Sequence, residues 1–186
     1  MAVKRSNIQI AGRKIISMKP DGNCFYRVLS YQLFGTQEEY DIVHVVVYRT
    51  EMYNKPIFAN YLIPSHDEAT IDDHVKKISV LGTWATQVEV VAAASAFEIP
   101  VYFYAKKPGS EYFVWNAVQP FTSTKKALKL PVFPEISEHI SLQMPTHFEL
   151  LYYYSLHYDA IVSEDTGKVC VDVPELSDNH SELIQL

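Results

Sequence analysis

Cys24 is the residue of this chain best situated to act as a nucleophile. The turn Lys19-Pro20-Asp21-Gly22-Asn23 runs directly into it, and the apolar residues that follow, Phe25, Val28, Leu29 and Leu33, fall at helical spacing with Gly35 positioned to end the helix. The thiol therefore sits at a helix start, where unpaired N–H groups and the positive end of the dipole favour thiolate over thiol. Gly22 lets the turn adopt an unusual backbone and aim N–H groups at a developing oxyanion. An arbitrary intracellular cysteine is more often a small buried hydrophobe, so the assignment needs a partner.

Residues 157–162, HYDAIV, supply one. As a strand, this segment projects His157 and Asp159 from one face and Tyr158 from the other, because side chains alternate with period two. A carboxylate two residues from an imidazole on the same face can orient the ring and stabilise its charged form. A Cys–His–Asp relay follows if that strand lies beside the Cys24 helix.

Other chemistry-bearing residues read as structural. His147 begins an expected strand. Asp72, Asp73 and His74 lack further metal-ligand spacing and read as a solvated helix start, with acids near its N-terminus. Cys170 reads as an inert packing residue. The aromatic runs lack interleaved basic residues and read as core rather than as base-stacking platforms.

The elements that must position these groups can be traced along the chain. Residues 7–18 alternate in two apolar bursts around Ala11-Gly12, which predicts a short hairpin or extended lead-in. Thr36-Gln37-Glu38-Glu39 has the form of a capping box opening a helix through about Tyr53, with Pro56 an interruption. A short helix is expected over Asp72 to Val80. Thr86-Gln87-Val88-Glu89 forms a second box, beginning a helix through Ala96. From Pro100 the texture turns aromatic and β-branched, predicting strands at 101–105, 111–116, 147–154 and 157–162, with 169–173 a possible edge strand. The stretch 120–146 reads as a long surface loop. Helices first and strands later predict an α+β domain with a mainly antiparallel sheet.

Composition sets the outer bounds. The 186 residues, 48% apolar and 13% aromatic, suit one folded domain rather than a disordered chain. The net charge of −6 is concentrated in residues 163–186, which hold six acids against Lys168, whereas residues 1–20 hold five basic residues and no acid. This divides the chain into a basic lead-in (1–14), a mildly acidic main domain (15–162) and an acidic extension (163–186), the first two together coming to only −1. No broad basic surface exists for nucleic acid. Two distant cysteines exclude a disulfide framework, and no apolar run suits a signal peptide or membrane span, so an intracellular, cytoplasmic setting without a membrane role is expected.

Residues 19–27, KPDGNCFYR, resemble the cysteine box of the ovarian tumour (OTU) family of cysteine proteases. Residues 147–162, HFELLYYYSLHYDAIV, resemble that family's histidine box. Gly82-Thr83-Trp84, with the helix Gln87 to Phe97 and the strand from Pro100, is a third match, and all three occur in the family's order. The resemblance implies a papain-like fold with a central sheet packed between helices. It implies Cys24 as nucleophile, His157 as general base and then acid, and Asp159 as orienter. It also implies that Asp21, with the Gly22 and Asn23 backbone, shapes the oxyanion site, and that Thr83, Trp84 and Tyr158 bind a substrate's C-terminal tail. The implied reaction is hydrolysis of ubiquitin or ubiquitin-like conjugates by a monomer that needs no metal or organic cofactor. Many members carry two small residues, often Gly-Gly, after the tryptophan, whereas here Ala85-Thr86 follow. That departure keeps a second expectation open, an OTU-fold module that binds ubiquitin-like proteins without cleaving them.

Overall fold

The computed structural model describes residues 8–121, 128–129, 144–153 and 157–176. The lead-in forms the expected tight reversal: Ile10 bridges to Arg13 around a turn at Ala11-Gly12, and the chain continues as strand β1 (Arg13–Ile16). Helix α1 (Cys24–Phe34) follows. Its buried face begins at Cys24 itself, and Gly35 closes it in the left-handed conformation with its N–H on the Tyr31 carbonyl.

Helix α2 (Tyr40–Tyr53) starts later than the Thr36 box predicted. Glu39 is its N-cap and no side chain caps it, because the residues of the box are engaged elsewhere. The Gln37 amide bonds the Ser17 carbonyl and the Lys19 N–H, the Gln37 carbonyl takes Arg27 Nη1, and Glu38 pairs with Lys19. Pro56 lies in the first turn of α3 (Lys55–Phe58), where its missing N–H costs nothing. Helix α4 (Ile71–Ile78) opens on a capping box of Thr70 and Asp73, and α5 (Gln87–Phe97) on the predicted box of Thr86 and Glu89.

Strands β2 (Val101–Lys106), β3 (Phe113–Val118), β4 (Phe148–Tyr153) and β5 (His157–Ser163) complete one five-stranded sheet of order β1-β5-β4-β2-β3. Every pairing is antiparallel except β2 with β4. Helix α1 packs on β5 and β4, α5 reaches β3, and α2 packs against both helices. The core between them is built from Phe25, Val28, Leu29, Val47, Phe58, Ala92, Phe103, Phe148, Leu150 and Tyr158, all nearly inaccessible.

Three boundary expectations change. Residues 169–173 form no strand; Val171 is exposed, and the Asp172 carbonyl instead accepts Arg13 Nη2. Arg13 and Lys14, assigned to the lead-in, are paired sheet residues opposite Ser163 and Val162. The start of the acidic extension is likewise tied to the fold, since Ser163 ends β5 and the Glu164 N–H bonds the Gly12 carbonyl. Most of the expected 120–146 loop, residues 1–7 and the last ten residues lie outside the described residues.

Candidate active site

Cys24 is the first residue of α1, and its side chain lies 3% exposed against β5. Across from it, the alternation of β5 turns His157 and Asp159 the same way. His157 Nε2 lies 2.9 Å from Asp159 Oδ1, and the ring also hydrogen-bonds Cys24. With Nε2 committed to the carboxylate, Nδ1 is the nitrogen available to the thiol. Asp159 is fully buried, and Oδ1 also accepts the Met18 N–H at 2.8 Å, which fixes the carboxylate from the chain entering the nucleophile loop. Asp159 and then Cys24 raise the His157 imidazolium to about 9, against the opposing effect of burial. The predicted trio is therefore brought together by a helix N-terminus and one strand. This is the arrangement that a thiol nucleophile with an oriented imidazole requires.

The loop before Cys24 is held by contacts that the sequence did not reveal. Gly22 adopts φ +84°, and a Cβ there would lie 1.9 Å from the Gly82 carbonyl oxygen, so only glycine lets the two loops touch. The Gly82 N–H donates to Asn23 Oδ1 at 2.7 Å, and Asn23 is buried. The Asp21 carboxylate is committed within the loop and to α1. It takes Arg27 Nη2 at 2.6 Å and the Asn23 N–H at 3.0 Å. Burial opposes ionisation, but Arg27 and that N–H together hold the carboxyl below its usual range. Arg27 is buried, with its guanidinium 3.8 Å from the Tyr40 ring centroid. Asp21 thus braces the loop, and Asn23 has its N–H committed rather than turned to an oxyanion.

The expected channel residues divide. Trp84 is half exposed on the loop between α4 and α5, near exposed Val80 and Leu81. Thr83 is partly buried, with Oγ1 on the Lys77 carbonyl. Tyr158 is 1% exposed and packs edge-on to Phe25 and tilted against Tyr152, so it supports the site from the core instead of lining a channel. Ala85 is buried and Thr86 caps α5, so the departure after the tryptophan falls on core and cap.

The other candidates also find their settings. His147 is buried with Nε2 2.8 Å from Glu149 Oε1. Cys170 is a free, partly buried thiol whose pKa burial raises. His74 contradicts the solvated helix start read for it: it is fully buried, facing Glu51 from α2, Glu68 from the loop before α4, and Glu89 from α5. Burial and Glu89 push the Glu51 carboxyl up to about 8. Nothing in the local pattern of Asp72-Asp73-His74 signals this burial, because the carboxylates come from three separate segments.

An α+β sheet carrying a cysteine at a helix start and a His–Asp pair on the facing strand defines the papain-like class of thiol-protease folds. Residues 19–158 match the family model of the OTU-like cysteine proteases, and the chain belongs to that family. It is 30% identical over 90 residues to OVARIAN TUMOR DOMAIN-containing deubiquitinating enzyme 7 of Arabidopsis thaliana, a stretch covering 48% of this chain and 23% of that protein. It is 25% identical over 157 residues to OTU domain-containing protein 5 of Homo sapiens, covering 84% of this chain and 24% of that one. The match thus spans only about a quarter of these relatives' length. Among solved structures, the OTUD1 OTU domain superposes with a TM-score of 0.59 at 15% identity, covering 81% of this chain and 86% of that one. An OTU deubiquitinase from Wolbachia pipientis wMel bound to ubiquitin gives 0.56 at 13% identity, covering 82% and 96%. These likenesses establish the OTU fold. No described helix is long and apolar enough to cross a membrane.

Proposed function

We propose that this protein is a deubiquitinase-type thiol isopeptidase, hydrolysing ubiquitin or ubiquitin-like conjugates through Cys24, His157 and Asp159. The observation that carries the reading is the hydrogen-bonded series from Cys24 through His157 to buried Asp159. Family membership supports it, as do a relative named as a deubiquitinating enzyme and a structural neighbour bound to ubiquitin.

In the reaction, the Cys24 thiolate attacks the isopeptide carbonyl carbon and the carbonyl oxygen becomes an oxyanion. Backbone N–H groups of Gly22 and Cys24 are the donors assigned to it, since the Asn23 N–H serves Asp21. Protonated His157 gives its proton to the departing lysine amine as the C–N bond breaks, leaving a thioester on Cys24. Neutral His157 then takes a proton from water, whose oxygen attacks the thioester carbon. The C–S bond breaks, releasing the modifier's C-terminal carboxylate and regenerating the thiolate. Trp84, half exposed, is the aromatic side chain assigned to the substrate's C-terminal tail.

The test is covalent labelling by a ubiquitin carrying a C-terminal electrophile. Labelling maps to Cys24 and disappears in Cys24→Ala; labelling that persists in that variant defeats the proposal. A second reading rests on the 3% exposure of Cys24: a module that binds ubiquitin-like proteins with its thiol covered. Ubiquitin binding with no turnover of any diubiquitin linkage would select it.

A further inference from the structure

Three helices converge on a buried cluster unused by the proposed reaction. His74 of α4, Glu51 of α2 and Glu89 of α5 are each fully buried. One ligating atom from each lies within 4.8 Å of the others. His74 Nε2 is 3.0 Å from Glu89 Oε1 and 3.3 Å from Glu51 Oε2, yet neither approach has hydrogen-bonding geometry. His74 Nε2, Glu89 Oε1 and both Glu51 oxygens are buried atoms without a hydrogen-bond partner among the described residues. Such atoms carry a desolvation cost that something must offset.

The other contacts are those of a ligand set. His74 Nδ1 bonds Glu68, which fixes the ring and turns Nε2 toward the two remaining carboxylates. Metal-bound histidines commonly use this carboxylate support on the nitrogen away from the ion. Glu68 has its own counter-charge in Lys77, 2.6 Å away. Glu89 Oε2 accepts the Thr86 N–H and hydroxyl, leaving Oε1 directed at His74. A divalent cation among the three would accept the Nε2 lone pair of His74 and balance the two carboxylates. The spacing also fits: a tetrahedral ion with bonds of about 2.0–2.1 Å holds its ligand atoms about 3.3 Å apart.

We propose that Glu51, His74 and Glu89 bind a divalent first-row metal ion, zinc fitting the mixed imidazole–carboxylate donors best, as a structural cross-link of α2, α4 and α5. The site is separate from the hydrolytic reading and survives its failure, so the test uses the full chain with Cys24→Ala, which removes the competing active-site thiolate. Because the cluster is closed to solvent, this protein is refolded with zinc, passed through a desalting column and analysed for metal by mass spectrometry. About one zinc per chain is expected to be retained. Glu51→Gln, which preserves shape and removes a charge, should lower zinc affinity by at least about 10- to 100-fold. If Glu51→Gln does not fold, the parent protein decides the matter: its Tm should rise with zinc and fall back with chelator. The cobalt derivative should show no thiolate charge-transfer band. Three outcomes overturn the proposal: under a tenth of an equivalent of zinc with a Tm indifferent to it; retention undiminished in Glu51→Gln; or retention abolished by His157→Ala. The first would assign neutralisation of the cluster to protons.

Discussion

His157 governs the pH response of the site. Its imidazolium is raised to about 9 by Asp159 and Cys24, so the charged form persists through neutral pH and is lost on the alkaline side. The kcat/KM for a ubiquitin–fluorophore substrate is expected to fall with a midpoint near 9, and the limb should move to lower pH in Asp159→Asn, which removes the largest raising influence. The rate cost of that variant should be roughly 100-fold or less, because asparagine still accepts from the ring; a cost equal to that of Cys24→Ala would contradict an orienting role. Stability has the same sign: the contribution of these contacts is complete below 6.5 and fades as pH rises through about 9. At Gly22, an alanine would meet both a positive φ and the Gly82 carbonyl. Gly22→Ala is therefore expected to lose at least about 2 kcal/mol in urea unfolding and most of its labelling rate. Cys24, His157 and Asp159 were legible because short-range spacing fixed their orientation. The contact of Asn23 with Gly82 and the burial of His74 were not, because their partners lie in segments that local pattern does not connect.

At the scale of elements, the two predicted capping boxes had opposite fates. Thr86 and Glu89 close reciprocal bonds at α5, whereas Gln37 and Glu38 are drawn to Ser17, Lys19 and Arg27. Long-range hydrogen bonds outweigh a local motif worth about 1 kcal/mol. The α5 cap also decides what the departure after Trp84 means. Thr86→Ala should cost about 1 kcal/mol in Tm-derived stability, and Thr86→Gly only a few tenths. Diubiquitin turnover should stay within about twofold in Thr86→Gly; a large gain in kcat/KM would relocate Thr86 to the substrate path. The strands from Pro100 onward were visible in their aromatic and β-branched texture. Their order was not, because a parallel β2–β4 pairing depends on a connection whose path carries no period.

Across the whole molecule, Arg13 reaches from edge strand β1 over β5 to Glu149 on β4, with Nε 2.7 Å and Nη2 2.9 Å from the carboxylate. Glu149 is fully buried and also bonds His147, while the Gln32 side chain clasps its backbone at both N–H and carbonyl. Arg13→Met strands that carboxylate and is expected to destabilise the protein by about 3 kcal/mol in denaturant unfolding. A loss of a few tenths would assign Glu149 chiefly to His147. The strand order has a consequence for biosynthesis. Strand β5, the last of the described strands to leave the ribosome, must insert between β1, the first, and β4. A nascent chain that has emerged only as far as β4 carries Cys24 but neither His157 nor Asp159, which both arrive with β5. Translation itself thus withholds the His157–Asp159 pair from Cys24 until the sheet can close.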